Sequence, residues 1–422
     1  MMKKFLWIFS LAGLLFACNN NDDPEPKPVD QDGITILAYL IGNVDKIESD
    51  IWTNIASMYD GLCEMNEKAT LLIYWDGSGS YGEWNHPVVL RYVNDGKGKV
   101  NGLSPLDVNA TVEEVVAIAD VVIEYPSQIS TNKDVMSKVL KDMISKTNTN
   151  NIGLITGSHG SAWVNSIFMN PSRAYGQDGK GTDNTILIKD MADAMKSTGK
   201  IFDFLLFDAC YMATLEVCYD LRDATNYQLS SVLEIPAYGF PYHDIMKYLY
   251  EGTVEGYNKA CQGYIDYYKE QSKYSNVWGT ISLINSKEII PLSNLIKNEI
   301  IKNKEVLKNY TPNHLQEYGR HNNANYISVD AKQFIKDINN GPLSSEFISQ
   351  FNKTILYKGC LDEEESYDNS YYGYDFDIDK ENYCGIGMYV PIKSYKNWNA
   401  YFKTLDWYTA AGWNEVDFSW NF

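Results

Sequence analysis

No two of the seven cysteines stand in a CxxC pair or at a metal-finger spacing, which removes zinc-ribbon and thioredoxin-like chemistry at the outset. Histidine is scarce as well, with five in 422 residues. Basic charge is in deficit: 36 Lys and Arg face 55 Asp and Glu, for a formal net charge of −19. Phosphate backbones are repelled on average by such a surface, so nucleic acid is not an expected partner. No internal repeat or low-complexity domain interrupts the chain. The opening apolar run, Phe5 to Ala17, is thirteen uncharged residues long, short of the roughly 20 that a membrane-spanning helix needs.

That run follows Lys3-Lys4 and ends in Leu15-Phe16-Ala17-Cys18, the layout of a bacterial lipoprotein signal. Residues 1–17 are therefore expected to be a signal peptide and Cys18 the lipidated residue, which with the two lysines removed makes the charge −21. Residues 18–32 continue as a disordered tether, with three prolines and almost no apolar side chain to bury. Membrane contact is expected through the lipid alone. The acidic tether directly after the lipidated Cys resembles the export signal of surface lipoproteins, so the expected location is the cell envelope, on the outer membrane and displayed externally.

From residue 34 the pattern changes. ITILAYLI (34–41), TLLIYW (70–75), IGLIT (152–156) and FDFLLF (202–207) are continuous apolar runs of strand length, as in strands covered on both faces. Between them, Ile47, Ile51, Ile55, Met58 and Leu62 make one helical stripe, and Val135 to Ile144 makes another. A further helix is expected near 187–197. This alternation predicts an α/β fold in three layers, a mostly parallel sheet with helices on both faces. Residues 253–310 are polar and helix-friendly, and CGIGMYVPI (384–392) is strand-like again. The expected division is a core over 33–250 and a C-terminal helical extension over 251–422, with a strand returning to the core. Six cysteines remain after Cys18, and a disulfide framework among them is open.

Two strand ends carry candidate chemistry. His159 follows a buried strand within Gly157-Ser158-His159-Gly160-Ser161, where small neighbours leave the imidazole exposed and backbone can approach a ligand. Cys210 follows another, in FDFLLFDAC. Ligands of open parallel sheets bind outside the carboxyl ends of the strands, so the two residues can meet there. His159 and Cys210 are 51 residues apart (210 − 159), close to the His-to-Cys spacing of about 50 in caspases. A cysteine needs a nearby base to become a thiolate nucleophile, and neutral His supplies one. The plain alternative is a cysteine serving as a small core hydrophobe at a strand end.

Beyond these positions, the chain resembles the clostripain family of cysteine peptidases, relatives of caspases, gingipains and legumain. The resemblance rests on TILAYLIGNVD, TLLIYWDGSG, SHGSAW, FDACYMATLEVCYDLRD, EIPAYGFPY, GIGMYVP and LDWYTAAGW. It implies a caspase-like sandwich for the core, His159 as general base and acid, and Cys210 as the nucleophile that forms a thioacyl-enzyme. Backbone N–H groups of Gly160 and Cys210 are then the expected oxyanion donors. Substrates would be proteins or peptides; no cofactor is required and metal ligands are not expected, although calcium dependence occurs in the family. Family members that cut after Arg or Lys often carry an acid in a Pro-Gly-Asp-Gly-Trp turn, where this chain has Pro236-Ala237-Tyr238-Gly239-Phe240. Tyr238 cannot neutralise a guanidinium, which leaves Asp208, sharing strand parity with Cys210, and Glu234 as the acids available for substrate binding.

Two loops complete the list. Asp375, Asp377 and Asp379 begin like an EF-hand, but Lys380 stands where Gly is needed and Ile386 where the bidentate Glu belongs. Residues 170–184 are breaker-rich and contain Arg173 and Lys180; the resemblance makes them candidates for self-cleavage between His and Cys, with Arg173 preferred. A catalytically inactive surface lipoprotein binding peptide or glycan stays open as the alternative reading, and a glycan hydrolase finds no motif.

Overall fold

β1 (Ile34–Ile41), β2 (Lys68–Asp76), β3 (Val88–Asp95), β4 (Asp120–Glu124), β5 (Ile152–Gly157), β6 (Phe202–Asp208), β7 (Thr225–Ser230) and β8 (Thr280–Asn285) come in that order along the chain. They are followed by β9 (Glu317–Tyr318), β10 (Ser328–Asp330), β11 (Ile355–Cys360) and β12 (Gly387–Met388). The computed structural model describes residues 34–420 apart from 109, 165–173, 181–183, 275–276, 313, 320–327 and 362–377. The expected signal peptide, the tether with Cys18, Arg173, Asp375 and Asp377 lie outside the described residues.

Nine strands form one sheet in the order β11-β8-β7-β6-β5-β1-β2-β3-β4. Its centre, from β2 through β1, β5 and β6 to β7, is parallel, and two antiparallel strands flank it on each side. The central strands are buried along nearly their whole length because helices cover both faces. Helices Glu48–Cys63, Tyr242–Leu249 and Val254–Gln271 pack in series on one another, and helices Lys133–Ile144, Ile188–Lys196 and Leu215–Leu221 do the same. From β1 the chain proceeds to β2 on one side, whereas β5, β6 and β7 build outward on the other. Right-handed crossovers then put helix Glu48–Cys63, between β1 and β2, on one face and helices Ile188–Lys196 and Leu215–Leu221, between β5 and β7, on the other, and the strand order reverses between β1 and β5.

The division expected at residue 250 does not divide the sheet. β8 and β11, both from beyond that point, extend it by two strands, and the described residues from Ile34 on form one compact unit. Within the strand-like run 384–392, Gly387 and Met388 are strand; they pair with β10 in a three-stranded sheet, and Gly387 also bridges Thr214, in the segment after β6. Among the described residues, Cys63, Cys210, Cys218, Cys261, Cys360 and Cys384 form no disulfide, so the fold described stands on its core.

Candidate active site

The parallel register of β5 and β6 sets Gly157 opposite Asp208. Two residues further along each strand, His159 and Cys210 leave the sheet at the same level. Ser158 N–H extends the pairing by donating to Asp208 O (3.3 Å), so the two loops run side by side past the strand ends. Both side chains are half-buried. Ala162 (φ 56°) and Tyr211 (φ 65°) are non-glycine residues in left-handed conformation, one in each loop. Such a backbone costs of order 1–3 kcal/mol and persists where its surroundings fix it. Tyr211 is fixed by its N–H on Leu233 O (2.9 Å) and its hydroxyl on Glu234 Oε1 (3.1 Å).

His159 Nε2 lies 3.0 Å from the backbone oxygen of Asp45, in the loop after β1. A carbonyl only accepts, so Nε2 carries the proton and Nδ1 is the basic nitrogen of the neutral ring. Three strand ends, those of β1, β5 and β6, therefore converge where the strand order reverses. Asp45 was missed in the sequence because any residue can offer a carbonyl there.

Gly160 is pressed against Cys210. A Cβ at Gly160 would stand 2.6 Å from Cys210 O and 3.0 Å from Cys210 N, so no larger residue fits without movement. Gly160 pairs with Tyr175 in an antiparallel bridge whose hydrogen bonds run from Ser161 N–H to Ala174 O (3.1 Å) and from Gly176 N–H to His159 O (2.8 Å). In that arrangement the N–H of Gly160 itself points away from residues 174–176. Cys210 Sγ lies 4.0 Å from Ile235 O.

Asp208 points under the turn at 236–240. Its carboxylate accepts from Tyr242 OH (2.9 Å) and Asn54 Nδ2 (3.3 Å). A Cβ at Gly239 (φ 71°) would come 2.5 Å from Asp208 Oδ2. Burial pushes the Asp208 carboxyl up to about 7, against the hydrogen bonds from Tyr242 and Phe240 N–H that favour its charged form. Tyr238 in the same turn is 62% exposed and stands over the surface. Glu234 is half-buried, its side chain taken by Tyr211 and its carbonyl by Trp278 Nε1 (2.9 Å). It braces the loop that carries Cys210.

Lys180 pairs with Glu48 Oε2 at 2.9 Å and donates to Ser78 Oγ at 3.3 Å, with Glu48 itself buried. Of the acidic stretch, Asp379 is described and spends its carboxylate on Asn382 and the Glu381 N–H. Among the described residues no cluster of three or more His, Cys, Asp or Glu could hold a metal ion, and no helix is long and apolar enough to cross a membrane.

Residues 39–420 match the family model of the Clostripain family, peptidase C11. No curated protein matches the chain. Among solved structures, a secreted C11 cysteine protease from Bacteroides thetaiotaomicron, in complex with an irreversible peptide inhibitor, is 23% identical with a TM-score of 0.70. The match covers 90% of this chain and 99% of that one. An inactive zymogen C11 protease from Parabacteroides distasonis is 22% identical, also at TM-score 0.70, over 90% of this chain and 98% of its own. Both likenesses establish the three-layer fold.

Proposed function

The chain belongs to the clostripain family of cysteine peptidases, and from that premise we propose that it is a lipid-anchored, extracytoplasmic endopeptidase working through a Cys210–His159 dyad. The observation that carries this reading is the bond from His159 Nε2–H to Asp45 O, which makes Nδ1 the proton acceptor of a ring that leaves the sheet level with Cys210. Nδ1 takes the thiol proton as sulfur attacks the substrate carbonyl carbon. The oxyanion that forms is met by the N–H groups of Gly160 and Cys210. Collapse breaks the C–N bond, the amine leaves with the proton from His159, and water then hydrolyses the thioester with His159 again as base.

Asp208 is the acid proposed for recognition of Arg or Lys at P1, and Tyr238 the surface the neighbouring substrate residue lies against. Glu234, held by Tyr211, is proposed to shape the nucleophile loop. No cofactor is assigned. Calcium, where it acts, would draw on residues of the 361–379 stretch. Arg173 and Lys180 remain the proposed positions of self-cleavage, and Cys18 the lipidated residue that holds the protein at the outer membrane.

Cys210→Ala and His159→Ala should each lower turnover of a peptide substrate by several orders of magnitude while the circular dichroism and melting curve stay those of wild type. Near-normal turnover by folded Cys210→Ala protein would sink the dyad. Cys18→Ser should move the protein from the membrane to the soluble fraction, because two or three acyl chains hold firmly and a protein with none has no anchor; retention on membranes would reject the anchor.

A further inference from the structure

Residues 174–178 brace the loops on either side of the strand-order reversal. Gly176 N–H holds His159 O, and Gln177 N–H donates to Ser158 Oγ (3.2 Å). The Gln177 side chain, only 1% exposed, turns to the loop after β1. Its Oε1 accepts from Asp45 N–H (3.3 Å), and its Nε2 donates to Asp45 Oδ2 (3.0 Å). One orientation of the amide satisfies both bonds. The neighbouring residue fastens the same loop, since Asp178 Oδ1 accepts from Asn43 Nδ2 (3.1 Å) and Asp178 Oδ2 from Ser130 N–H.

Asp45 O is the atom that fixes the tautomer and orientation of His159, yet a carbonyl in a loop has no position of its own. Two hydrogen bonds at the same residue supply one. We propose that Gln177 is a positioning residue for the peptidase reaction: its amide grips Asp45 at backbone and side chain and so holds the Asp45 carbonyl in line with His159 Nε2–H. The inference rests on the reading of His159 as the dyad's base. Partners that orient a catalytic imidazole act at one remove, and loosening such a partner in a metal site costs roughly 10–100-fold. A misplacement of the reacting groups by about 1 Å costs about 100-fold. The charged groups facing the brace are the Asp45 carboxylate, the Asp178 carboxyl and the Lys180 ammonium with its Glu48 partner.

Gln177→Leu removes both bonds at nearly constant volume. It is expected to lower kcat on a fluorogenic peptide about 10–100-fold with KM held within about twofold. The His159 titration, followed by NMR in a Cys210→Ala background and assigned by its loss in His159→Ala, should move to lower pH. The reason is that Asp45 O favours the charged ring, which donates from both nitrogens. A buried glutamine that only stabilises the loop would lower the melting temperature and move neither quantity. Should the Leu variant fail to fold, Gln177→Glu keeps the acceptor for Asp45 N–H and sets a carboxylate against Asp45 Oδ2. Its turnover should be most depressed above neutral pH and recover as the two carboxylates come to share a proton. Wild-type kcat in folded Gln177→Leu, or in Gln177→Glu at alkaline pH, overturns the proposal. An active His159→Ala overturns the dyad itself, whereas a dead His159→Ala beside a normal Gln177→Leu removes only the positioning role.

Discussion

At Asp208, burial works against the recognition proposed for it. A carboxyl pushed to about 7 is largely neutral at pH 6 and cannot balance a guanidinium. As the pH rises through that value the charge appears, so kcat/KM for an Arg substrate relative to its Gln counterpart should climb between about pH 6 and 8. Asp208→Asn should hold the ratio flat and low. A wild-type ratio that ignores pH would reject Asp208 as the acid proposed to read P1. Gly160 gives a second residue-level expectation. Its hypothetical Cβ meets Cys210 backbone atoms at 2.6 and 3.0 Å, not the end of a flexible side chain. Gly160→Ala should therefore shift the two proposed oxyanion donors apart and lower kcat by about 100-fold or more, with KM changed far less.

Strands and loops were unequally legible. The runs at 34–41, 70–75, 152–156 and 202–207 all became central strands, because a strand covered on both faces must be apolar throughout. β7, TNYQLS, and β11, ILYKGC, lack that signature and were missed as strands; each is completed by partners distant in sequence. His159 and Cys210 were legible as strand-end residues among small neighbours. Asp45 and Gln177 were not, since the first acts through its backbone and the second through a contact across 132 positions. Among loops, Lys180 is spoken for: to enter a cleft it must first leave Glu48 and Ser78. Glu48→Gln should thus raise cutting after Lys180 relative to Arg173 in purified enzyme, read by N-terminal sequencing of fragments. Unchanged fragments would show that the ion pair does not guard that bond, and fragments from Cys210→Ala would assign the cut to another protease.

Across the whole molecule, several carboxyls are buried where hydrogen bonds only partly offset the loss of water. Burial pushes Asp76, Asp208 and Glu216 each up to about 7, with the neighbouring Asp178 carboxyl adding to the effect at Asp76. Between the unfolded values near 4 and these folded values, the native state binds more protons than the unfolded chain. The contribution of these three groups to stability is therefore fullest at low pH and is lost as pH rises through about 7, the reverse of an ion-paired carboxylate. Glu216→Gln keeps an acceptor for Tyr389 N–H and should flatten part of that decline, seen as a melting temperature less sensitive to pH between about 4 and 7. An unaltered slope would mean that Glu216 titrates normally. β5 and β6 are neighbours in the sheet but are joined by the chain interval in which self-cleavage is proposed. A cut there ahead of Ala174 leaves Asp45 and His159 on one polypeptide and Gln177 and Cys210 on the other. The seam between the halves is a strand pair and the helix layers beside it, with His159 and Cys210 on either side. Such a molecule is a heterodimer made from one gene product, and its catalytic competence becomes a matter of subunit association: the two polypeptides share one sheet and one core, so denaturant that parts them silences the site and unfolds both in the same step.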